Sequence, residues 1–281
     1  NEAYGTKFAS FADARPIEDK GSRSNEDRRR VRDYMEFYFS TIGEYARILM
    51  QMMRERGLDV PFVHNSANPG MNAYFREMMR QTGGQVLLGS DHYYTLNMNW
   101  EQNNPTPLYA SKCYYSMEML RLMGCPQTVF EMPGGSCSDF PPVTPSDLRA
   151  CYFMHAALGM KGVNYYILTG GPNPPGMGTT SDIYDYNAAI AADGTVRPLL
   201  QVQKEFAQFL HGNSWLAEAG LDSDFSIGLD WDHALAGNYF ANRGDLEMSS
   251  ADAWLFWRKG MYVSAMCGSW SAGMVDLHSD D

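Results

Sequence analysis

The sequence predicts an α/β fold built on a parallel sheet. Segments of helical period alternate four times with short runs that are almost entirely apolar. Strands apolar on both faces belong to parallel sheets covered by helices. Polar and aromatic residues also gather at the C-terminal end of each run, where both common parallel α/β architectures hold their chemistry.

The elements follow in order. Ser24 and Asp27 have the spacing of a capping box. Apolar residues then recur at Val31, Tyr34, Met35, Tyr38, Ile42, Tyr45, Leu49, Met52 and Met53, an amphipathic helix closed by Gly57. The run "DVPFVHN" has the length of a buried strand. A helix over roughly 71–82 stops at Gly83-Gly84, and "QVLLGSD" is the next strand. A helix over 108–123 ends at Gly124, and "QTVFEM" follows as a strand. In "TPSDLRACYFMHAALGMKG", Thr144 is the N-cap, Pro145 sits at N1 and Asp147 at N3, with Gly162 beyond the end. "VNYYIL" is the strand after it. A Gly/Pro loop over 169–196 leads to a helix over 198–211.

Periodicity does not separate a doubly wound sheet from a (β/α)8 barrel. No GxGxxG follows any strand, which weakens the dinucleotide-binding alternative. The strand ends carry His64-Asn65, Asp91-His92-Tyr93-Tyr94, Glu131 and the loop from Gly170, a set that suits a barrel with a sugar site. After about residue 215 the character changes. "LDSDFSIGLDWD" reads as a new strand and "SSADAWLFWRKG" as a helix leading to "MYVSAM". The expectation is the C-terminal half of a barrel over 1–215, then the start of a second α/β domain over 216–281.

Composition narrows the function classes. The net charge is −11, and "DRRRVR" at 27–32 is the only basic run. It sits among acids in a helical pattern, so it reads as a solvated face and a nucleic-acid partner is not expected. No run of 18 apolar residues occurs, so no membrane span is expected. The five cysteines form no CxxC, so neither a disulfide framework nor a zinc site is legible. His64, His92 and His155 share no metal spacing, and His155 reads as a core residue of a helix. No metal and no cofactor is proposed from the sequence. The methionine pairs and triplets read as helix packing. The compartment stays open.

Two carboxylates stand out. Glu2 heads "NEAYG", and Glu131 ends the strand "TVFE" before the turn "MPGGS". Glycosidic hydrolysis with retention uses one carboxylic acid to protonate the leaving oxygen and one carboxylate to attack, about 5 Å apart. If Glu2 ends one barrel strand, Glu131 ends the third strand after it, the relation of strands four and seven in a retaining glycosidase barrel.

These residues resemble a known group. "NEAYG" resembles the "NEYG" acid/base motif of family 35 β-galactosidases, with one extra Ala. "NYYILTGGPNPPG" (164–176) and "YDYNAAIAADGTVRP" (184–198) resemble that family's strand-eight motifs. The context "FEMPGGSCSDF" departs from family 35, lacks its Trp and looks more like family 42. The tail resembles the flavodoxin-like, amidotransferase-like domain that follows a family 42 barrel. The resemblance covers roughly residues 1–212 and implies a clan A retaining glycosidase acting on a terminal β-galactoside.

Carried over by motif, Glu2 is the acid/base, Glu131 the nucleophile and Asn1 the partner of the sugar 2-hydroxyl. Tyr166 and Tyr186 line the sugar pocket and Tyr184 supports them. Asp91 and Tyr94 are substrate-binding candidates by position at a strand end. The second domain implies self-association. Two alternatives stand beside this reading: another clan A activity on mannan, glucan or arabinofuranoside, or a carbohydrate-binding or assembly fragment without turnover. The second follows from strand counting, since only the last four barrel strands fall within the sequence.

Overall fold

Four strands that the sequence predicts line up side by side in chain order. In the computed structural model the described residues are 7–13, 25–66, 75–93, 107–135, 143–178, 182–231, 264–265 and 267–278. Strands β1 (Phe62–Ser66), β2 (Val86–Asp91), β3 (Thr128–Pro133) and β4 (Gly162–Tyr166) form one sheet, all parallel and in the order β1-β2-β3-β4. A doubly wound sheet reverses its strand order at a switch point. Among the described residues this sheet shows no such reversal. Among the described residues it is open, with β1 and β4 at its edges.

Helices α1 (Asn25–Glu55), α2 (Phe75–Gln81), α3 (Pro107–Leu122), α4 (Pro145–Ala157) and α5 (Leu199–Gly212) follow the strand–helix alternation. Helix α4 starts as the sequence predicts. Thr144 Oγ1 accepts from the Asp147 N–H, and Asp147 Oδ2 accepts from the Thr144 N–H at 3.0 Å. Pro145 fills N1, where no N–H is missed.

Helix α1 differs from the simple reading of its period. Its core face is Val31, Met35, Phe39 and Gly43. Tyr34, Tyr38, Tyr45 and Met52, counted in the same apolar series, are exposed. The segment is apolar on two faces, and among the described residues one of them packs against α2. "DRRRVR" contributes an exposed side where Arg32 pairs with Glu36 at 3.1 Å.

The buried residues form two clusters. One joins α4, α5 and β3 through Met132, Leu148, Tyr152, Val202 and Phe206. The other joins α2, α3 and β2 through Met78, Met79, Leu88, Tyr114, Met119 and Leu120. It also includes Ile227 and Leu229 of β7 (Phe225–Leu229) and Ala272 and Met274 of β8 (Ala272–Asp276). Strands β7 and β8 pair in parallel, Phe225 opposite Ala272 and Leu229 opposite Asp276. Within "MYVSAM" the described Ser264 and Ala265 are helical, and the strand comes later in the chain. Between β4 and α5, two-residue strands β5 (Gly171–Pro172) and β6 (Ile183–Tyr184) pair antiparallel.

The expectation of strands buried on both faces holds for β2, where five of six residues are buried, and fails for β1. Val63 is 61% exposed on β1, an edge of the sheet among the described residues. Of the four described cysteines, Cys113, Cys125 and Cys151 are buried thiols and Cys267 is exposed.

Candidate active site

Parallel strands present their last residues on one rim of the sheet, and the polar side chains of this protein collect there. Registers shift between Ser90 and Asp91 on β2, and between Val129 and Met132 on β3. Such irregularities re-aim side chains at strand ends. They leave Asp91 opposite Glu131 on the neighbouring strand. Backbone bonds fix the rim, His92 N to Glu131 O at 2.9 Å and Gly134 N to Tyr166 O at 2.9 Å.

Glu131 is half-buried and held by two donors. Asn65 Nδ2, from the end of β1, donates to Oε1 at 3.0 Å. The Tyr93 hydroxyl, just past β2, donates to Oε2. A carboxylate anchored at both oxygens points in a fixed direction, which a nucleophile needs for in-line attack. Burial raises the Tyr93 hydroxyl pKa, and its bond to Glu131 raises it further, so Tyr93 stays a donor.

Asp91 is 5% exposed. Burial first, then the charge of Glu131, push its pKa up to about 7, and the Asn65 amide opposes the rise. Its Oδ1 is buried with no hydrogen-bond partner among the described residues. An unpaired buried carboxyl oxygen at a rim is costly unless a ligand group meets it.

Aromatic rings extend from this pair. Tyr93 meets Tyr166 edge-on at 6.0 Å, Tyr166 meets Tyr184 edge-on at 6.2 Å, and Tyr184 meets Tyr186 at 4.4 Å. The row joins β2, β4, β6 and the turn after β6. Tyr186 and Asn187 both have positive φ, 43° and 54°, and their turn presses on Gly135. A Cβ on Gly135 would lie 2.5 Å from Tyr186 O, so only glycine fits after β3. The turn is clamped by Arg197, whose guanidinium binds Asp185 at 2.5 Å and Ala188 O at 2.7 Å.

The sequence-predicted residues fall into two groups. Glu131, Asp91, Tyr166, Tyr184 and Tyr186 are brought to one rim. Asn1, Glu2 and Tyr94 lie outside the described residues. Asn65 and Tyr93, which hold the Glu131 carboxylate, were visible only as members of the strand-end clusters. In the loop after β4, a Cβ on Gly170 would meet Ala192 N at 3.0 Å and Tyr184 O at 3.1 Å, so its bareness serves the packing of that turn, whereas a Cβ on Gly171 would meet open space.

No protein-family model matches the chain. Among curated proteins it is 23% identical over 255 residues to an exo-β-D-glucosaminidase of Thermococcus kodakarensis, covering 87% of this chain and 31% of that protein. It is 23% identical over 238 residues to a β-1,2-glucosyltransferase of Ignavibacterium album, covering 81% of this chain and 32% of that protein. Among solved structures it superposes on a β-galactosidase from the psychrophilic Marinomonas ef1 with a TM-score of 0.70 at 13% identity, over 99% of this chain and 44% of that one. It superposes on Gan42B, a GH42 β-galactosidase, with a TM-score of 0.71 at 13% identity, over 100% of this chain and 40% of that one. The structural likeness is one of fold. The chain spans about a third of the length of these curated relatives.

Proposed function

We propose that the chain carries part of a retaining glycoside hydrolase site for a terminal β-galactoside, of the clan A type, with Glu131 as nucleophile and Glu2 as acid/base. The carrying observation is the Glu131 carboxylate, anchored by Asn65 and Tyr93 at the C-terminal rim of a parallel sheet. That is where barrel enzymes hold their reacting groups. In this reading Glu131 attacks the anomeric carbon as Glu2 protonates the leaving oxygen. Glu2 then takes a proton from water, which releases the sugar with its configuration retained. Asn1 bonds the 2-hydroxyl. Asp91 accepts from a second sugar hydroxyl through its unpaired Oδ1, and Tyr94 is a further candidate for binding the sugar. Tyr166, with Tyr184 and Tyr186 behind it, offers ring faces to the sugar C–H groups.

A second reading keeps the mechanism and changes the sugar. The curated relatives are named for glucosamine and glucose chemistry. A carboxylate such as Asp91 would suit a sugar ammonium as well as a hydroxyl. A panel of aryl β-galactoside, β-glucoside and β-glucosaminide separates the two, run on the chain and on the full gene product. Fastest release from the galactoside supports the first reading, and fastest release from the glucosaminide the second. Glu131→Gln should reduce either activity to background while leaving circular dichroism unchanged. Undiminished hydrolysis by that variant would refute the nucleophile assignment.

A further inference from the structure

Beneath the rim, on the helix side of β2, three side chains that the proposed hydrolysis does not use converge. His92 follows Asp91, His155 lies on α4 and Cys113 on α3, and all three are fully buried. One ligand atom from each lies within 4.8 Å of the others. His92 Nδ1 and His155 Nε2 face each other at 2.8 Å. The outer nitrogens are both tied to oxygens, His155 Nδ1 to Cys151 O at 2.7 Å and His92 Nε2 to Ser90 Oγ at 2.8 Å.

From these contacts we propose a metal site: Cys113, His92 and His155 bind one thiophilic d10 cation, Zn2+ or Cu+. Three features favour it. Ligating imidazoles characteristically have their second nitrogen held by a carbonyl or hydroxyl, and both do here. Both rings are fully buried, which favours the neutral form that ligates. The third is reach: two nitrogens on one tetrahedral ion sit about 3.3 Å apart and a nitrogen and a sulfur about 3.5 Å, so the rings must part by roughly half an ångström, and the Cys113 thiol, within 4.8 Å of them, must close in by up to about 1 Å.

The proton balance is simple. A carbonyl only accepts, so His155 carries its proton on Nδ1 and offers its Nε2 lone pair. Without metal, His92 donates from Nδ1 to that lone pair, and Ser90 donates to His92 Nε2. With metal, the His92 proton resides on Nε2, where Ser90 Oγ accepts it. Cys113 loses its thiol proton to solvent, so one proton is released per ion. With two neutral imidazoles and a thiolate, the complex carries +1 for Zn2+ and none for Cu+. Deep burial therefore weighs toward Cu+. Either ion would pin the end of β2 beneath Asp91.

The test is a titration of the chelator-treated chain with Co2+, then Zn2+, and separately with Cu+ under reducing, anaerobic conditions. The expected result is uptake of one equivalent of Zn2+ or Cu+. If Co2+ enters, it should give a near-ultraviolet thiolate charge-transfer band that Zn2+ abolishes. Cys113→Ser and His92→Gln should each lose stoichiometric uptake, whereas Cys151→Ser and Cys267→Ser keep it. Ser90→Ala should weaken affinity by about 10- to 100-fold. No stoichiometric uptake of any of the three ions by the wild-type chain overturns the proposal. So does uptake that survives in a folded Cys113→Ser variant. Neither readout depends on glycosidase activity.

Discussion

At the scale of single residues, the rim depends on how two carboxyl groups share one place. Glu131 carries the donors, and Asp91 bears the cost of lying beside it. Removing the Tyr93 hydroxyl takes away a hydrogen bond to a charged group, which contributes about 1.5–3 kcal/mol. Tyr93→Phe should therefore lower kcat by about 10- to 100-fold on whichever aryl glycoside is turned over, with KM little changed. A change confined to KM would place Tyr93 in substrate binding instead. Asp91 gives a pH signature. Its folded-state pKa of about 7 lies above the ordinary 3.8, so the folded chain holds this proton more tightly than the unfolded chain. That stabilising contribution is complete below the ordinary value and is lost as pH rises through about 7. Asp91→Asn cannot ionise, so its melting temperature should be near that of the wild type at about pH 4 and exceed it by a few degrees at about pH 8. An offset equal at the two pH values would refute the assignment. Glu131 and the tyrosines were legible in the sequence because strand-end position and motif point to them. Asn65 was not, since its role arises from a neighbour 66 positions away. The histidine pair was hidden likewise, because sequence spacing carries no trace of a strand end meeting a helix 63 residues later.

Among elements, legibility follows locality. The start of α4 is written within four residues, and Thr144→Ala should show its value. Losing an N-cap costs about 1 kcal/mol. For a chain of this size that is a fall in melting temperature of roughly 2–4 °C. Thr144→Ser should keep most of that stability, and an equal loss in both variants would mean that packing of the methyl group matters more than the cap. The boundaries of β2, β3 and α3 were readable for the same reason, since each apolar run ends at a turn signal. Helix α1 shows where local reading stops. Its apolar residues were all visible, but which of two stripes faces inward depends on α2, whose Gln81 side chain donates to Ser40 O at 3.0 Å. Gly43 supports that contact, since a Cβ there would lie 3.1 Å from the Gln81 side chain.

For the whole molecule, the question is how residues after 215 attach to the strand–helix series. Within the stretch expected to begin a second α/β domain, 216–281, the described strands β7 and β8 pair in parallel. Its described strands share their core with α2 and α3. Helix α3 explains that attachment. It is buried on nearly every side, with the sheet on one face and β8 on the other. Glu118 is the polar tie across the outer face. It is 2% exposed, accepts from the Met274 N–H at 2.8 Å and pairs with Arg121 at 2.7 Å. Arg121 in turn donates to Met274 O, and the Tyr114 hydroxyl donates to Ala272 O. Glu118→Ala leaves the Met274 N–H buried and unpaired, at a cost of about 1–3 kcal/mol. Glu118→Gln keeps an acceptor and should lose less. If the strand pair opens as its own unit, Glu118→Ala will speed amide exchange in 225–229 and 272–276 by roughly 5- to 150-fold, the rate equivalent of that cost. Amides of β2 and β3 will then exchange at wild-type rates. Equal acceleration in both sets would show one cooperative body, with β7 and β8 part of the same core as α2, α3 and β2.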